Sequence, residues 1–147
     1  MMRELNNPVD WVKEHPQIML RSSLICGENL AHRVVHDAFV SKVKSMKIEQ
    51  IENWWIIAGI NDWLSYKNLS INDLFNKLIP FPEMGQECHR SEILLTAFAD
   101  NIFTVLDKSF RWITPKIEIP IEIENWLRNN NYVRVIAFSM STSTKMG

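Results

Sequence analysis

A chain of 147 residues has the length of a single domain and can bury roughly 68–70% of its unfolded surface, so its core needs neither a metal nor a disulfide. Apolar residues at 46% and charged residues at 22% are ordinary globular values, although six tryptophans are many for the length. A net charge of −1 from 16 basic and 17 acidic residues, well mixed, argues against a surface that neutralises nucleic-acid phosphates, and no apolar run approaches the roughly 20 residues of a membrane span.

The first residues, Met1 to Asn7, carry an acid and amides where a signal peptide would carry an apolar stretch. Cys26 and Cys88 lie far apart with no C-x-x-C pair, the pattern of small buried thiols in a reducing compartment. These features predict a cytoplasmic protein that uses no cofactor, with one domain over residues 1–140 and a disordered tail over 141–147.

Asn7-Pro8 predicts a short helix, with Asn7 as its cap and Pro8 at the first helical position, where the missing N–H costs nothing. His15-Pro16 ends it, and the apolar piece Ile18-Met19-Leu20 leads to a turn at Cys26-Gly27. From Glu28 to about Lys44, Leu30, Ala31, Val34, Val35, Ala38 and Phe39 recur at helical spacing, with the acid early and the lysines late. Met46 to Ile51 and Trp54 to Ile60 predict a strand pair about a tight turn at Glu52-Asn53. Ser70 caps a short helix to about Leu78, Pro80 and Pro82 break the chain, and Glu83 to His89 forms a polar loop around Gly85. Ser91 to Asp100 predicts another apolar helix, followed by a hairpin of Ile102–Leu106 and Phe110–Thr114. A short helix around Glu122 to Arg128 precedes the last strand, Tyr132 to Met140, with Val133, Val135 and Ala137 on one face and Arg134 opposite. Strands that arrive as adjacent pairs between helices predict an α+β two-layer sandwich: one mixed or antiparallel sheet of about five strands with helices on one face.

Complete catalytic motifs are absent. His32 and His36 stand one helical turn apart, a spacing that suits two imidazoles on zinc, but no glutamate follows the first histidine as in H-E-x-x-H. Cys88, in Glu87-Cys88-His89, could add a third ligand, giving His32, His36 and Cys88 as a candidate metal set. As surface histidines near Asp37 and a partly buried loop thiol, the same residues need no function. Asp62 follows a buried strand, where acids often enter sites, although Asn61-Asp62 is also ordinary turn chemistry. Four glycines, at 27, 59, 85 and 147, make no phosphate loop. Trp54 and Trp55, consecutive in a strand, point to opposite faces, so a one-sided sheet leaves one indole as a contact surface unless the C-terminal segment covers it.

The stretch Val12 to Leu20 and the helix through Arg33, His36, Asp37 and Phe39 resemble the start of the Bergerat-fold (GHKL, gyrase-B-type) ATPase domain. Asn61 to Leu64 and Arg90-Ser91-Glu92, with the helix and hairpin to about Thr114, lie like that family's base-binding and lid segments, so the likeness spans residues 11–114. Its diagnostic residues are changed. Arg33 stands where the family has its catalytic glutamate, Asp37 at the metal-binding asparagine and Gly59 at the base-reading aspartate. Asn61 and Trp63 replace glycines, and no glycine motif surrounds Cys88 to Ser91. The resemblance therefore implies a degenerate Bergerat-like domain without ATP hydrolysis, its remnant pocket between Asp37, Asp62 and Arg90. Pro80-Phe81-Pro82-Glu83 is similar to a stretch in small uncharacterised bacterial proteins, which implies a bacterial origin and no activity.

Three readings follow. The first is a non-catalytic protein that binds an unidentified protein partner or itself, through Trp54 or Trp55 or the Pro80–His89 loop, with neither nucleic acid nor membrane as partner. The second is nucleotide or small-molecule binding by Asp37, Asp62 and Arg90. The third is a metal-dependent hydrolase built on His32 and His36, with Cys88 as the further ligand.

Overall fold

The run Trp54–Gly59 is apolar on both sides of a pleated strand, and it lies inside a sheet covered on both faces. The computed structural model describes residues 7–20, 24–141 and 144–145. Five strands, β2 (Met46–Ile51), β3 (Trp54–Gly59), β4 (Asn101–Leu106), β5 (Ser109–Trp112) and β6 (Arg134–Ser139), form one antiparallel sheet in the order β2-β3-β6-β4-β5. Two hairpins are thus joined by the last strand, which enters between them with Ile56 opposite Ala137 and Phe103 opposite that same alanine. The β4–β5 turn is Asp107-Lys108, both left-handed (φ 45° and 70°), the geometry that matches the twist of a two-residue hairpin.

Four helices, α1 (Pro8–Glu14), α2 (Gly27–Val40), α3 (Ile71–Asn76) and α4 (Glu92–Phe98), build the larger core on one face. Leu30, Ala31, Val34 and Ala38 of α2 pack with Ile57, Ile102, Ile136 and Phe138 of the sheet. The caps follow the sequence: Asn7 accepts from Val9 N at 3.0 Å with Pro8 at the first helical position, and Ser70 Oγ accepts from Asp73 N at 3.0 Å. α2 stops at Val40 rather than near Lys44, because Lys42 turns left-handed (φ 70°).

The fold is the expected α+β layer arrangement with α1 to α4 on one face, but the opposite face is not open. The C-terminal helix α5 (Ile121–Asn129) lays Ile123 and Trp126 over Trp54, Ile56, Ala58, Phe103, Val105, Val135 and Ala137. Of the expected tail, Thr144–Lys145 (β7) pairs antiparallel with Leu24–Ile25 (β1), and residues 142–143 and 146–147 lie outside the described set. The expectation for the first residues likewise falls outside it through residue 6.

Candidate functional site

Asp37, Asp62 and Arg90 sit in one region, where the end of α2, the loop after β3 and the start of α4 meet, and each is closed into an internal pair. Asp37 is wholly buried; its Oδ2 accepts from Ser91 N at 2.7 Å and Ser91 Oγ at 2.6 Å, and Arg33 Nη1 donates to its Oδ1. Arg33 also donates to the carbonyls of Met19 and His89, at 3.3 and 3.2 Å, which ties α2 to both flanking loops. Arg90, 1% exposed, donates to Glu92 from Nε (3.0 Å) and Nη2 (3.1 Å) and to the Trp63 carbonyl at 2.9 Å. Its guanidinium lies 4.8 Å from the ring centres of both Tyr66 and Phe81. Asp62 accepts from Arg134 at 2.7 and 3.0 Å and receives the Leu64 N–H at 3.1 Å.

Burial drives the electrostatics here. Glu92 is fully buried, and desolvation raises its pKa above the ordinary carboxylate range; Arg90 pulls it down, and the neighbouring Asp37 charge adds to the rise. Burial works against the charge of Arg90, but Glu92 and then Asp37 outweigh it and raise the guanidinium's pKa. At the rim, Tyr66 donates to Glu83 Oε2 at 2.7 Å. That bond is the main cause of a lowered Glu83 pKa, while burial and the same bond raise that of Tyr66. A cleft of about 290 Å³ opens beside these groups, lined by Ser41, Asp62, Trp63, Tyr66 and Glu83. Asp37 and Arg90 do not line it. The buried side-chain atom without a partner among the described residues is Trp63 Nε1.

His32, His36 and Cys88 line a second groove, of about 560 Å³, together with Arg33 and His89. His32 and His36 are exposed on α2, and Cys88 lies in a loop pinched by the Pro80–His89 bridge and by Phe81 N donating to the Cys88 carbonyl at 2.8 Å. Among the described residues, no three His, Cys, Asp or Glu side chains are grouped to hold a metal ion.

The tryptophan pair points to opposite faces as expected, yet neither indole is an open contact surface. Trp54 is 3% exposed beneath the α5 layer, because the C-terminal segment covers that face. Trp55 is half-buried on the helix face, stacked on Phe138 with ring centres 5.8 Å apart. Apart from Phe39 and Ile60, the exposed large apolar side chains belong to β5, α5 and the segment between them. Phe110 (48% exposed) and Ile117 (40%) lie together at the β5 edge of the sheet, and Ile121 (57%) is exposed at the start of α5. Two adjoining grooves of about 280 and 720 Å³ share Phe110 and Glu124 there, with Leu127 and Tyr132 on one side and Trp112 and Ile119 on the other. Phe110 rests on Phe103, ring centres 5.3 Å apart, so its exposed side chain is backed by the second core.

Sequence reasoning did not reach Glu92, Arg134, Tyr66 or Phe110. The available signals were an arginine on the inward face of the last strand, which demands a buried acid, and alternation in Phe110-Arg111-Trp112 at a sheet edge. Comparisons with protein-family models, with curated proteins and with solved structures give no match. No helix among the described residues is long and apolar enough to cross a membrane.

Proposed function

We propose that this chain is a non-catalytic binding protein whose ligand is another protein, held at the groove between β5 and α5 and anchored on Phe110. One contrast carries the reading: the charged residues that could do chemistry are closed into internal pairs, whereas large apolar side chains stand exposed around Phe110. A rim of mixed charge, Lys116 and Glu118 beside Glu124 and Arg128, suits a protein surface of ordinary composition. The Bergerat-type likeness agrees with loss of hydrolysis, since Arg33 and Asp37, at the positions of that family's glutamate and asparagine, bond to each other. The two free thiols, Cys26 and Cys88, suit the reducing cytoplasm where we place the protein.

A photo-cross-linker at position 117, with Phe39 on α2 as the control position, should capture a partner specifically from the groove. Binding of that purified partner should then weaken by about 2 kcal/mol, roughly 30-fold, in Phe110→Ala. Equal capture at both positions, or unchanged affinity in the variant, overturns the proposal.

A second reading is favoured by the cleft beside Asp62, Tyr66 and Glu83, which has room for a small ligand near the orphan indole nitrogen of Trp63. A thermal-shift series with ATP, ADP and GTP, each with magnesium, tests it. Saturation at about 100 times Kd adds roughly 2.7 kcal/mol, a shift of several degrees.

A further inference from the structure

The sheet has two free edges, and they are not alike. β5 is four residues long and turns only the main-chain groups of Phe110 and Trp112 outward. β2 is six residues long, pairs among the described residues only with β3 and keeps an unbroken register from Met46 opposite Gly59 to Ile51 opposite Trp54. Its phase is set at both ends. Ile60 N donates to Ser45 O at 3.4 Å, and Ile51 and Trp54 close a two-residue turn, so Ser45, Lys47, Glu49 and Ile51 bond toward β3. Met46, Ile48 and Gln50 therefore direct their N–H and C=O groups away from the sheet. Among the described residues no hydrogen bond takes these groups up.

Long free edges are usually blunted by proline, a bulge or an inward-pointing charge. β2 has no proline and no bulge. Its charges, Lys47 and Glu49, share the α5 face, with Nζ and Oε2 3.5 Å apart; both stay part-exposed beside Trp126, whose Nε1 donates to Glu49 Oε2 at 3.1 Å. Pairing with a second copy about a two-fold axis must set outward residues against outward residues. The registers that keep most of the strand paired centre on Lys47, Ile48 or Glu49. A centre at Lys47 sets lysine against lysine, and a centre at Glu49 sets glutamate against glutamate. A centre at Ile48 sets Lys47 of each copy opposite Glu49 of the other, at non-hydrogen-bonded sites where facing side chains approach most closely. β5 has no such match, since centring its edge sets Arg111 against Arg111.

We infer that β2 is the contact edge of an antiparallel homodimer centred on Ile48, in which the sheet runs continuously through two copies. This contact uses the edge of the sheet opposite the Phe110 groove.

Sedimentation velocity over a concentration series tests it. The wild-type chain should self-associate. Lys47→Glu and Glu49→Lys each place like charges opposite each other twice, and each should weaken association by about tenfold or more. An equimolar mixture of the two variants should recover it, because every facing pair is then opposite in sign, and the double exchange K47E/E49K should recover it within one chain. Gln50→Pro, which removes one outward N–H from an exposed position, should weaken association while leaving the circular dichroism spectrum unchanged. A wild-type chain that stays monomeric at every concentration overturns the inference. So does a mixture that associates no better than its components, or a folded Gln50→Pro chain that associates like wild type.

Discussion

Arg134 in the last strand of the sheet clasps Asp62 in the loop after β3 through two hydrogen bonds, Nε to Oδ1 at 2.7 Å and Nη2 to Oδ2 at 3.0 Å. The guanidinium is nearly buried, with Thr104 Oγ1 as its other contact at 3.4 Å. Removing the carboxylate leaves that charge without a counterpart. Asp62→Ala should therefore cost about 3 kcal/mol in urea unfolding. Arg134→Met should cost less, and the double variant much less than the sum of the two, because each single change leaves the other partner stranded. Additive losses would show that the pair is not coupled.

Gly27 opens α2 directly beneath Trp55, and a Cβ at that position would lie 2.5 Å from Cε2, Cζ2 and Cη2 of the indole. The ring cannot retreat easily, since it is stacked on Phe138. Gly27→Ala should destabilise the protein by about 1–3 kcal/mol and shift tryptophan emission, and adding Trp55→Leu should return part of the loss. A neutral Gly27→Ala would mean that the helix end gives way.

Glu92 carries a pH signature with a definite sign. Its folded pKa is raised by burial above the ordinary value of 4.5, so the folded state holds the proton more tightly than the unfolded chain does. That contribution is complete below the unfolded pKa and is lost as pH rises through the folded one. Relative to Glu92→Gln, the wild-type chain should lose stability as pH climbs from 4.5 toward neutrality. Parallel stability curves for the two proteins would contradict this.

Tyr66 and Glu83 offer a test confined to the surface. The phenol's hydrogen bond is the main cause of the lowered Glu83 pKa. In Tyr66→Phe that carboxyl should titrate at higher pH, followed by side-chain carbon NMR. A titration unchanged by the substitution would show that the phenol is not the main cause, leaving the backbone hydrogen bond and then the charges of Lys67 and Arg90.

Local signals in the sequence translated well where a single residue type dictates geometry. Asn7-Pro8 starts α1, Ser70 starts α3, and the two hairpins fall where alternating apolar residues flank short turns. The second core was legible in principle, and the sequence leaves it open whether the C-terminal segment covers that face. Trp54, Ile56 and Ala58 are as apolar as Trp55 and Ile57, and a strand apolar on both sides announces cover on both faces. Ile123 and Trp126 supply that cover, yet nothing local states which face a short helix will choose. The candidate site was less accessible still. Asp37, Asp62 and Arg90 stand out in the sequence; Glu92 is a near neighbour of Arg90, but the partners Ser91 and Arg134 are set by tertiary contacts. Ser91 lies 54 positions from Asp37, and Arg134 lies 72 from Asp62.

The position of β6 has a consequence for how the protein is made. Because this strand is inserted between β3 and β4, the two hairpins have no direct pairing with each other. A nascent chain leaving the ribosome can form both hairpins and the helices between them, but their apolar faces stay apart until residues 134–139 have emerged. Productive folding is thus delayed until β6 is available, and over that interval Trp54, Ile57, Ile102 and Phe103 are exposed to chaperones and to neighbouring chains on the same message.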